Sequence, residues 1–203
     1  MNPIERIMRT APVIPVLVIE YANQARPLAE ALVRGGLKVL EVTLRTSAAL
    51  DAIREMKQVP GAIVGAGTVT NPAELDAALG AGAEFVVSPG LTERLARVAI
   101  GKQVPFLPGV ATASDIMRGL DLGLEHFKFF PAAASGGLPA LRALAAPFGG
   151  VKFCPTGGIS AERAPEWLAH PSVLCVGGTW ITPRGADMAQ VRALAEQAAT
   201  LAR

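Results

Sequence analysis

The sequence predicts a small α/β protein built as a closed (β/α)8 barrel, with a short extra helix at its amino terminus. Two observations support this prediction. Continuous apolar, β-branched runs recur about every 23 residues, the length of one strand–helix unit with short loops. The segments between these runs carry the capping residues and apolar spacing of helices. Continuous apolar runs fit strands that are covered on both faces, as in a parallel sheet.

The strands can be located from the apolar runs. The chain has 203 residues, 51% of them apolar, so we expect one domain spanning residues 1–203 with a sizeable core. Strands are predicted at residues 13–19, 39–44, 62–69, 85–89, 105–110, 126–131, 151–156 and 173–178. Eight strands that each lead into a helix close into a barrel, and an open doubly wound sheet is the alternative architecture.

Helix starts are marked by polar residues that can accept hydrogen bonds from unpaired N–H groups. Asn71 followed by Pro72 is the clearest start, since proline suits the first helical position. The other predicted starts are Asn23, Ser47, Thr92, Ser114 or Asp115, Ser160 and Asp187. Residues 3–10 are predicted to form the extra helix before the first strand.

Composition argues against several classes of partner. Charged residues make up 18% of the chain, the formal net charge is +2, and Lys and Arg form no run. A nucleic-acid or anionic-membrane partner therefore has little support. The apolar run at residues 11–19 contains two prolines and is too short to span a bilayer. It also lacks the basic start and small-residue exit of a signal peptide, so we expect a cytoplasmic protein.

Metal and dinucleotide sites are not expected. Cys154 and Cys175 each lie in a short apolar run, at a spacing that matches no zinc pattern, so we expect small buried thiols. The chain has two histidines, too few for a histidine-rich metal site. The stretch "GAGTV" at residues 65–69 lacks the full dinucleotide fingerprint and its context. No cofactor is therefore predicted.

The stretch "HFKFFP" in the sixth predicted strand places one lysine among aromatic residues. Side chains alternate along a strand, so His126, Lys128 and Phe130 share one face. Lys128 would then point into the barrel above a structural His126, while Phe127 and Phe129 pack beneath the flanking helices. A poorly solvated lysine becomes neutral more readily, and a neutral amine can attack a carbonyl to form a Schiff base.

The second predicted strand, "VLEVTLR", carries polar residues at alternate positions. If the face shared by Glu41, Thr43 and Arg45 is the interior, a carboxylate lies inside the barrel and an arginine at its mouth. Alternation alone does not decide this, because Val42 and Leu44 would make an equally plausible interior pair. An inward Glu41 could also pair with the lysine of the sixth strand only to fill the interior.

Two glycine-rich turns predict a phosphate site. In a (β/α)8, or TIM, barrel the active site lies at the carboxyl ends of the strands, and the loops after the last two strands often bind phosphate. The turns "PTGGIS" and "VGGTW" follow those two strands here. Glycine lets backbone N–H groups approach an anion closely, and a helix N-terminus adds positive potential. Hydroxyl groups are added by Thr156, Ser160 and Thr179.

Taken together, six motifs resemble a known family, the KDPG (2-dehydro-3-deoxy-phosphogluconate) aldolases, which are class I aldolases of the Entner–Doudoroff pathway. In chain order the motifs are "LEVTLRT", "IVGAGTV", "SPGLT", "FKFFPA", "FCPTGGIS" and "VGGTW". The resemblance implies a (β/α)8 homotrimer that cleaves the phosphorylated sugar acid to pyruvate and D-glyceraldehyde 3-phosphate. Many members of the family also act on 4-hydroxy-2-oxoglutarate.

The resemblance also implies roles for individual residues. Lys128 matches the family's Schiff-base lysine, and Glu41 matches its general acid/base, which places Glu41 inward. Arg45 matches the arginine at the substrate carboxylate. The pyruvate pocket is completed by Thr68, Pro89 and Phe130. The phosphate end is assigned to Thr156, Gly157, Gly158, Gly177, Gly178 and Thr179, where the family often has serine in place of the last residue.

The implied mechanism uses no metal. The lysine attacks the C2 ketone, the resulting iminium accepts the electrons of the C3–C4 bond, and the glutamate moves the protons. Three alternatives remain open at this point. They are an aldolase for the epimeric 2-dehydro-3-deoxy-6-phosphogalactonate, a phosphate-binding isomerase or decarboxylase, and a non-catalytic phosphosugar-binding barrel. The lysine in "FKFFPA" argues against the second, because such enzymes commonly use a metal or paired acids.

Overall fold

A computed structural model describes residues 2–202, in which helices and parallel strands alternate. The strands are β1 Val13–Leu17, β2 Val39–Thr43, β3 Ile63–Gly67, β4 Phe85–Val87, β5 Phe106–Leu107, β6 Gly109–Val110, β7 His126–Phe129, β8 Lys152–Pro155 and β9 Val176–Gly178. The helices are α1 Pro3–Thr10, α2 Ala25–Arg34, α3 Ala49–Met56, α4 Pro72–Gly80, α5 Glu93–Gly101, α6 Ala113–Asp121, α7 Gly137–Ala145, α8 Ala164–Leu168 and α9 Met188–Ala199. A short 3-10 turn precedes α2, and α1 confirms the predicted extra helix.

The strands form a curled parallel sheet, as the continuous apolar runs predict. A six-stranded part has the order β5-β4-β3-β2-β1-β9, and a three-stranded part has the order β6-β7-β8. Isolated bridges pair Phe153 with Val173 and Thr156 with Gly177, and these join β8 to β9 and the segment before it. At the other end, β5 leads into β6 through Pro108. The α/β class predicted from the sequence is confirmed.

The fifth predicted strand, residues 105–110, is two short strands instead of one. Pro108 interrupts it, because proline has no N–H to donate to a neighbouring strand. The carbonyl of Pro108 still accepts a hydrogen bond from the backbone N–H of Lys128, at 2.9 Å. The last strand is also shorter than predicted and begins at Val176 rather than Val173.

Side-chain capping agrees with the prediction at three helix starts. Helices α2, α3 and α8 begin without a side-chain cap, later than the predicted starts Asn23, Ser47 and Ser160. The side chains of Asn71, Thr92 and Asp187 each accept a backbone N–H at the first turn of α4, α5 and α9, as predicted. The predicted start of α6 was wrong: Thr112 is the cap, and Asp115 lies inside the helix, where its carboxylate completes a capping box. Helix α7 has no counterpart among the predicted helices. In residues 2–202, no helix has the length and apolar character needed to cross a membrane.

The sheet separates two groups of buried side chains. The larger group lies between the strands and the helices and includes Phe127 and Phe129, as predicted. The ring of Phe129 lies 6.3 Å from that of Trp167 on α8. The smaller group lies on the opposite face of the strands and includes Val39 and Leu107. Alternate residues of one strand therefore serve two different cores.

Helix α1 contributes to the smaller group, on the inner face of the sheet. Ile4, Ile7 and Met8 are buried against it, and burying each such side chain contributes roughly 1.5–3 kcal/mol. Glu5 of the same helix lies 3.7 Å from the Nε2 atom of His126, the first residue of β7. Because β7 begins there, α1 covers the inner face of the sheet at the amino ends of the strands. The carboxyl ends remain available for a site.

Candidate active site

A cavity of about 300 Å³ opens at the carboxyl ends of the strands. It contains every site residue predicted from the sequence except Glu41 and Gly178. Its lining residues are Val16, Thr43, Arg45, Thr68, Pro89, Lys128, Phe130, Thr156, Gly157, Gly158, Ile159, Gly177 and Thr179. The fold thus gathers side chains from β1, β2, β7 and β9 and from the loops after β3, β4 and β8 at one end of the sheet.

Lys128 and Glu41 meet at the floor of this cavity. The Nζ atom of Lys128 donates a hydrogen bond to Oε1 of Glu41 at 3.1 Å, and the two residues are 5% and 3% exposed. Glu41 therefore points inward. The neighbouring Leu40 and Val42 belong to the larger group of buried side chains, between the strands and the helices. This geometry resolves the parity that alternation along the strand left open. A buried amine beside a carboxylate can exchange a proton with it without solvent.

Phe130 forms one wall above the lysine. Its ring centroid lies 5.2 Å from the Nζ atom of Lys128, within cation–π range. The ring also leaves little room for a side chain in the turn opposite it, since a Cβ added at Gly157 would lie 3.3 Å from the ring. An aromatic wall lowers the number of waters around the amine. Phe130 therefore shields one side of the amine and shapes the space in which a carbonyl can approach it.

Gly67 makes room for the Glu41 carboxylate. A Cβ at Gly67 would overlap Oε1 of Glu41, and the two residues lie on adjacent strands. Sequence reasoning missed this role, although "GAGT" shows a glycine at the carboxyl end of a strand. The neighbouring Thr68 has a φ of 60°, which is strained for a residue with a Cβ. Thr68 follows β3, which pairs with the strand that carries Glu41, and it lines the cavity.

Arg45 lies at the cavity mouth and is exposed to solvent. Its Nε atom donates to the hydroxyl of Thr43 at 3.2 Å. Across residues 2–202, no carboxylate lies within ion-pair distance of the Arg45 guanidinium. An arginine with its charge uncompensated is suited to bind an anionic group, and its planar fork matches a carboxylate. Pro89 lines the same part of the cavity.

The turn after β8 has the geometry of an anion site. Gly157 and Gly158 have φ values of 101° and 74°, in the left-handed region that favours glycine. Within the described part of the chain, neither N–H has a backbone acceptor. Helix α8 begins only at Ala164 and has five residues, so the helix N-terminus expected to support this site lies beyond the turn. Backbone N–H groups are therefore the main donors offered here.

The threonines near these turns differ in exposure. Thr179 is exposed at the cavity rim, whereas Thr156 is buried, with its hydroxyl 3.4 Å from the carbonyl oxygen of Cys154. Gly177 makes room for Thr156, since a Cβ there would overlap the hydroxyl. Gly178 does not line the cavity and packs against the ring of Trp180 instead. The predicted phosphate residues therefore divide into cavity residues and one packing residue.

Other titratable groups lie outside the cavity. His126 is buried below Lys128 on the same strand face, and burial lowers its pKa, while the nearby Glu5 carboxylate opposes that shift. The side chains of Cys154 and Cys175 are buried, as predicted. Among residues 2–202, no cluster of His, Cys, Asp and Glu side chains has an arrangement suited to hold a metal ion.

Comparisons with known proteins agree with this geometry. The sequence model of the family described as "Aldolase: KDPG and KHG aldolase" matches residues 4–194. The 2-dehydro-3-deoxy-phosphogluconate aldolase of Zymomonas mobilis subsp. mobilis is 58% identical over 204 residues, which cover 100% of this chain and 98% of that protein.

Two solved structures are similar over nearly their whole length. The aldolase of Zymomonas mobilis ZM4, solved with 3-phosphoglycerate, has a TM-score of 0.98 at 58% identity and covers 100% of this chain and 98% of its own. The KDPG aldolase of Legionella pneumophila, solved with pyruvate as a covalent carbinolamine intermediate, has a TM-score of 0.94 at 44% identity and covers 97% and 98%.

The family model and the relatives described above are those of aldolases. Aldolases are aldehyde-lyases, enzymes that break carbon–carbon bonds. The inward lysine and glutamate, the cationic mouth and the glycine turns all lie within the matched residues, 4–194. On the family model and on its relatives, this chain belongs to the KDPG and KHG aldolase family.

Proposed function

We propose that this protein is a class I aldolase that cleaves 2-dehydro-3-deoxy-6-phosphogluconate to pyruvate and D-glyceraldehyde 3-phosphate without a metal. The observation that carries the proposal is the buried contact of 3.1 Å between Lys128 and Glu41 at the floor of the cavity. A Schiff-base aldolase for a phosphorylated 2-oxo acid needs an amine, a proton acceptor and two anion sites. The 58% identity to a KDPG aldolase supports this choice of substrate.

The first half of the reaction forms the Schiff base. Glu41 accepts a proton from Lys128, and the neutral amine adds to the C2 ketone to give a carbinolamine. Glu41 then returns this proton to the carbinolamine hydroxyl, which leaves as water, so that an iminium forms and Glu41 is again a carboxylate. The Legionella pneumophila neighbour, which holds pyruvate as a covalent carbinolamine, supports this step.

The second half breaks the carbon–carbon bond. The electron pair of the C3–C4 bond moves into the iminium and forms an enamine. The C4 hydroxyl loses its proton to the Glu41 carboxylate as the aldehyde forms. Protonation of the enamine at C3, from the same carboxyl group, gives the iminium of pyruvate. Hydrolysis of this iminium releases pyruvate and restores the amine of Lys128.

Two anion sites hold the substrate across this centre. Arg45 binds the substrate carboxylate through its guanidinium, with Thr68, Pro89 and Phe130 around the pyruvate portion. The N–H groups of the turn at Gly157 and Gly158, together with the hydroxyl of Thr179, bind the phosphate. Anchoring both ends fixes the C2 ketone against the amine, which lowers the entropic part of the barrier. We assign Thr156 and Gly177 to the same end and Gly178 to its support.

The same centre also serves a second substrate in this proposal. Cleavage of 4-hydroxy-2-oxoglutarate to pyruvate and glyoxylate uses the same amine and acid/base, because this substrate shares the 2-oxo acid and the C4 hydroxyl. The family description, which names both KDPG and KHG, supports this extension. The shorter substrate lacks a phosphate and makes no contact with the glycine turns.

We further propose that the curled sheet closes into a (β/α)8 barrel, with β5 and β6 acting as one strand. The bridges between β8 and the β9 segment, and the direct passage from β5 to β6, support closure. In this proposal residues 1–203 form a single domain. The family resemblance supports a homotrimeric state, which size-exclusion chromatography with light scattering tests. The pattern of the first apolar run supports a cytoplasmic location, which cell fractionation tests.

Borohydride trapping with pyruvate tests the central proposal. Protein treated with pyruvate and borohydride should gain one covalent adduct with the mass of the reduced pyruvate imine. Protein treated with borohydride alone, or with lactate in place of pyruvate, should gain none. Absence of the adduct from folded protein would overturn the Schiff-base mechanism and favour a non-catalytic phosphosugar-binding barrel.

Product assays decide the substrate. Pyruvate release from 2-dehydro-3-deoxy-6-phosphogluconate, from its galactonate epimer and from 4-hydroxy-2-oxoglutarate can be followed with a coupled dehydrogenase. We expect the highest kcat/KM with the gluconate compound. A higher value with the epimer would reassign the enzyme to the galactonate series and leave the mechanism intact.

A further inference from the structure

Thr43 lines the cavity but has so far been given no role in catalysis or substrate binding. It lies two positions after Glu41 on the inward face of β2 and is 2% exposed. Its hydroxyl donates to the backbone carbonyl of Leu17 on the neighbouring β1, at 2.8 Å. The same hydroxyl accepts a hydrogen bond from the Nε atom of Arg45, at 3.2 Å.

The two contacts together orient the hydroxyl. A threonine hydroxyl has one hydrogen to donate and two lone pairs. With that hydrogen committed to Leu17, only lone pairs face Arg45, so the hydroxyl acts there as an acceptor. The contact engages the Nε–H of the guanidinium and leaves the two terminal NH2 groups directed elsewhere. Two terminal donors of one arginine are enough for a bidentate contact with a carboxylate.

The contact matters because Arg45 is long, exposed and otherwise weakly held. For the part of the chain that the structure describes, Thr43 is the side chain that hydrogen-bonds Arg45, and no carboxylate pairs with it. A free arginine side chain loses much rotamer freedom when it is immobilised on a ligand. A hydrogen bond that holds the arginine before the ligand arrives removes part of that loss.

We infer that Thr43 is a positioning residue, which orients the Arg45 guanidinium for bidentate recognition of the substrate carboxylate. This inference rests on the proposed role of Arg45 in carboxylate binding. It predicts an effect on the affinity for 2-oxo acids rather than on the chemical steps, since Thr43 acts through Arg45. If the hydroxyl of Thr43 served only to hold β1 against β2, its removal would lower the stability of the fold and leave the affinity for 2-oxo acids unchanged.

The chain offers a matched control for that second reading. Thr46 also donates its hydroxyl to a carbonyl at the carboxyl end of the same strand pair, that of Ile19. It makes no hydrogen bond to the side chain of Arg45. Thr46→Val therefore removes a similar inter-strand tie and leaves the arginine contact in place.

The experiment compares Thr43→Val, Thr43→Ser and Thr46→Val. Half-saturation by pyruvate is measured from borohydride trapping, KM and kcat from cleavage, and folding from thermal unfolding. We expect Thr43→Val to raise the half-saturating pyruvate concentration and KM by about tenfold, the loss typical of one charge-assisted hydrogen bond, with kcat changed less. Thr43→Ser, which keeps the hydroxyl, and Thr46→Val should stay near the wild-type values. Thr43→Ala replaces Thr43→Val if the valine variant does not fold.

A double-mutant cycle separates this inference from the proposed function. Lysine has no Nε–H at the same place, so Thr43→Val should add little to the loss caused by Arg45→Lys. A full, additive loss in the Arg45→Lys background would overturn the positioning role. Weak pyruvate binding by Arg45→Lys together with normal binding by Thr43→Val would overturn it too, and would leave the role of Arg45 standing. Unchanged binding by Arg45→Lys would refute both assignments.

Discussion

The Nζ atom of Lys128 lies 3.1 Å from Oε1 of Glu41, and 87 positions of sequence separate the two residues. Both side chains are buried, one on β7 and the other on β2. Removing one partner of a buried pair commonly costs about 3–5 kcal/mol, because the other group is left without compensation. Activity lost in variants of this pair must therefore be compared with their unfolding free energy.

Replacing the lysine tests the nucleophile. Lys128→Ala should abolish both trapping and cleavage, and Lys128→Arg should fail as well, because a guanidinium stays protonated and cannot attack a ketone. Lys128→Arg retains a cation beside Glu41, so urea unfolding of this variant separates the loss of chemistry from loss of fold. Peptide mapping of reduced wild-type protein should place the adduct on Lys128. An adduct on another lysine would refute the assignment; the alternatives are Lys38, Lys57, Lys102 and Lys152.

Replacing the glutamate tests the proton transfers. Glu41→Gln keeps a hydrogen-bond acceptor for Lys128 and removes the base, so cleavage should fall by about 10²- to 10⁴-fold, the usual contribution of a general acid/base. Exchange of the methyl protons of pyruvate with deuterated solvent, followed by NMR, should slow to a similar extent. Glu55→Gln, on the exposed face of α3, serves as the matched control. Normal proton exchange in Glu41→Gln would move this role to another group.

Gly67 gives a test of the carboxylate's placement that leaves the carboxylate in the chain. The added methyl group of Gly67→Ala would overlap Oε1 of Glu41 and displace it from Lys128. We expect cleavage to fall by at least tenfold, since misplacement of a catalytic group by about 1 Å can cost a hundredfold. Gly80→Ala, where a Cβ would meet no atom within 4 Å, should leave cleavage unchanged. Equal activities of the two variants would show that Glu41 does not depend on this space.

The glycine turns are tested by comparing substrates with and without phosphate. Thr179→Ala should lower kcat/KM for the phosphorylated substrate by about tenfold, which is the effect of losing one charge-assisted hydrogen bond. Gly158→Ala should have a larger effect, because its φ of 74° is strained for alanine and its Cβ would lie 2.6 Å from that of Ala133. Cleavage of 4-hydroxy-2-oxoglutarate should survive both changes. Equal losses on both substrates would mean that these turns support the fold and do not bind phosphate.

His126 predicts a pH dependence of stability. Burial lowers the pKa of His126 in the folded protein below the ordinary value of 6.5, with Glu5 opposing the shift. The unfolded chain then binds more protons, so the free energy of unfolding should decrease as the pH falls below about 6.5. Urea unfolding near pH 7.5 and pH 5.5 measures this decrease, which His126→Asn should reduce. His170→Asn should reduce it less, since His170 is less buried; an unchanged decrease in His126→Asn would contradict the prediction.

Three helix starts, which depend on short-range chemistry, were predicted correctly from the sequence. The caps Asn71, Thr92 and Asp187 act on N–H groups within three residues, so their helices start where the pattern indicates. Contacts between strands were harder to predict. The space beside Gly67 depends on which residue of the neighbouring strand lies opposite, and the spacing of strands along the chain does not specify that register.

The alternating pattern of the second strand was enough to place Glu41, Thr43 and Arg45 on one face, and the aromatic stretch was enough to single out Lys128. A period of two says which residues share a face but not which face the helices cover, so the residues alone left the direction of Glu41 open. The packing of helices against the outer face decided it, because that packing buries Val42 outside and leaves the inner face for the polar residues. The hydrogen bond from Arg45 to Thr43 likewise became visible only in three dimensions, since it depends on the rotamer of an exposed side chain.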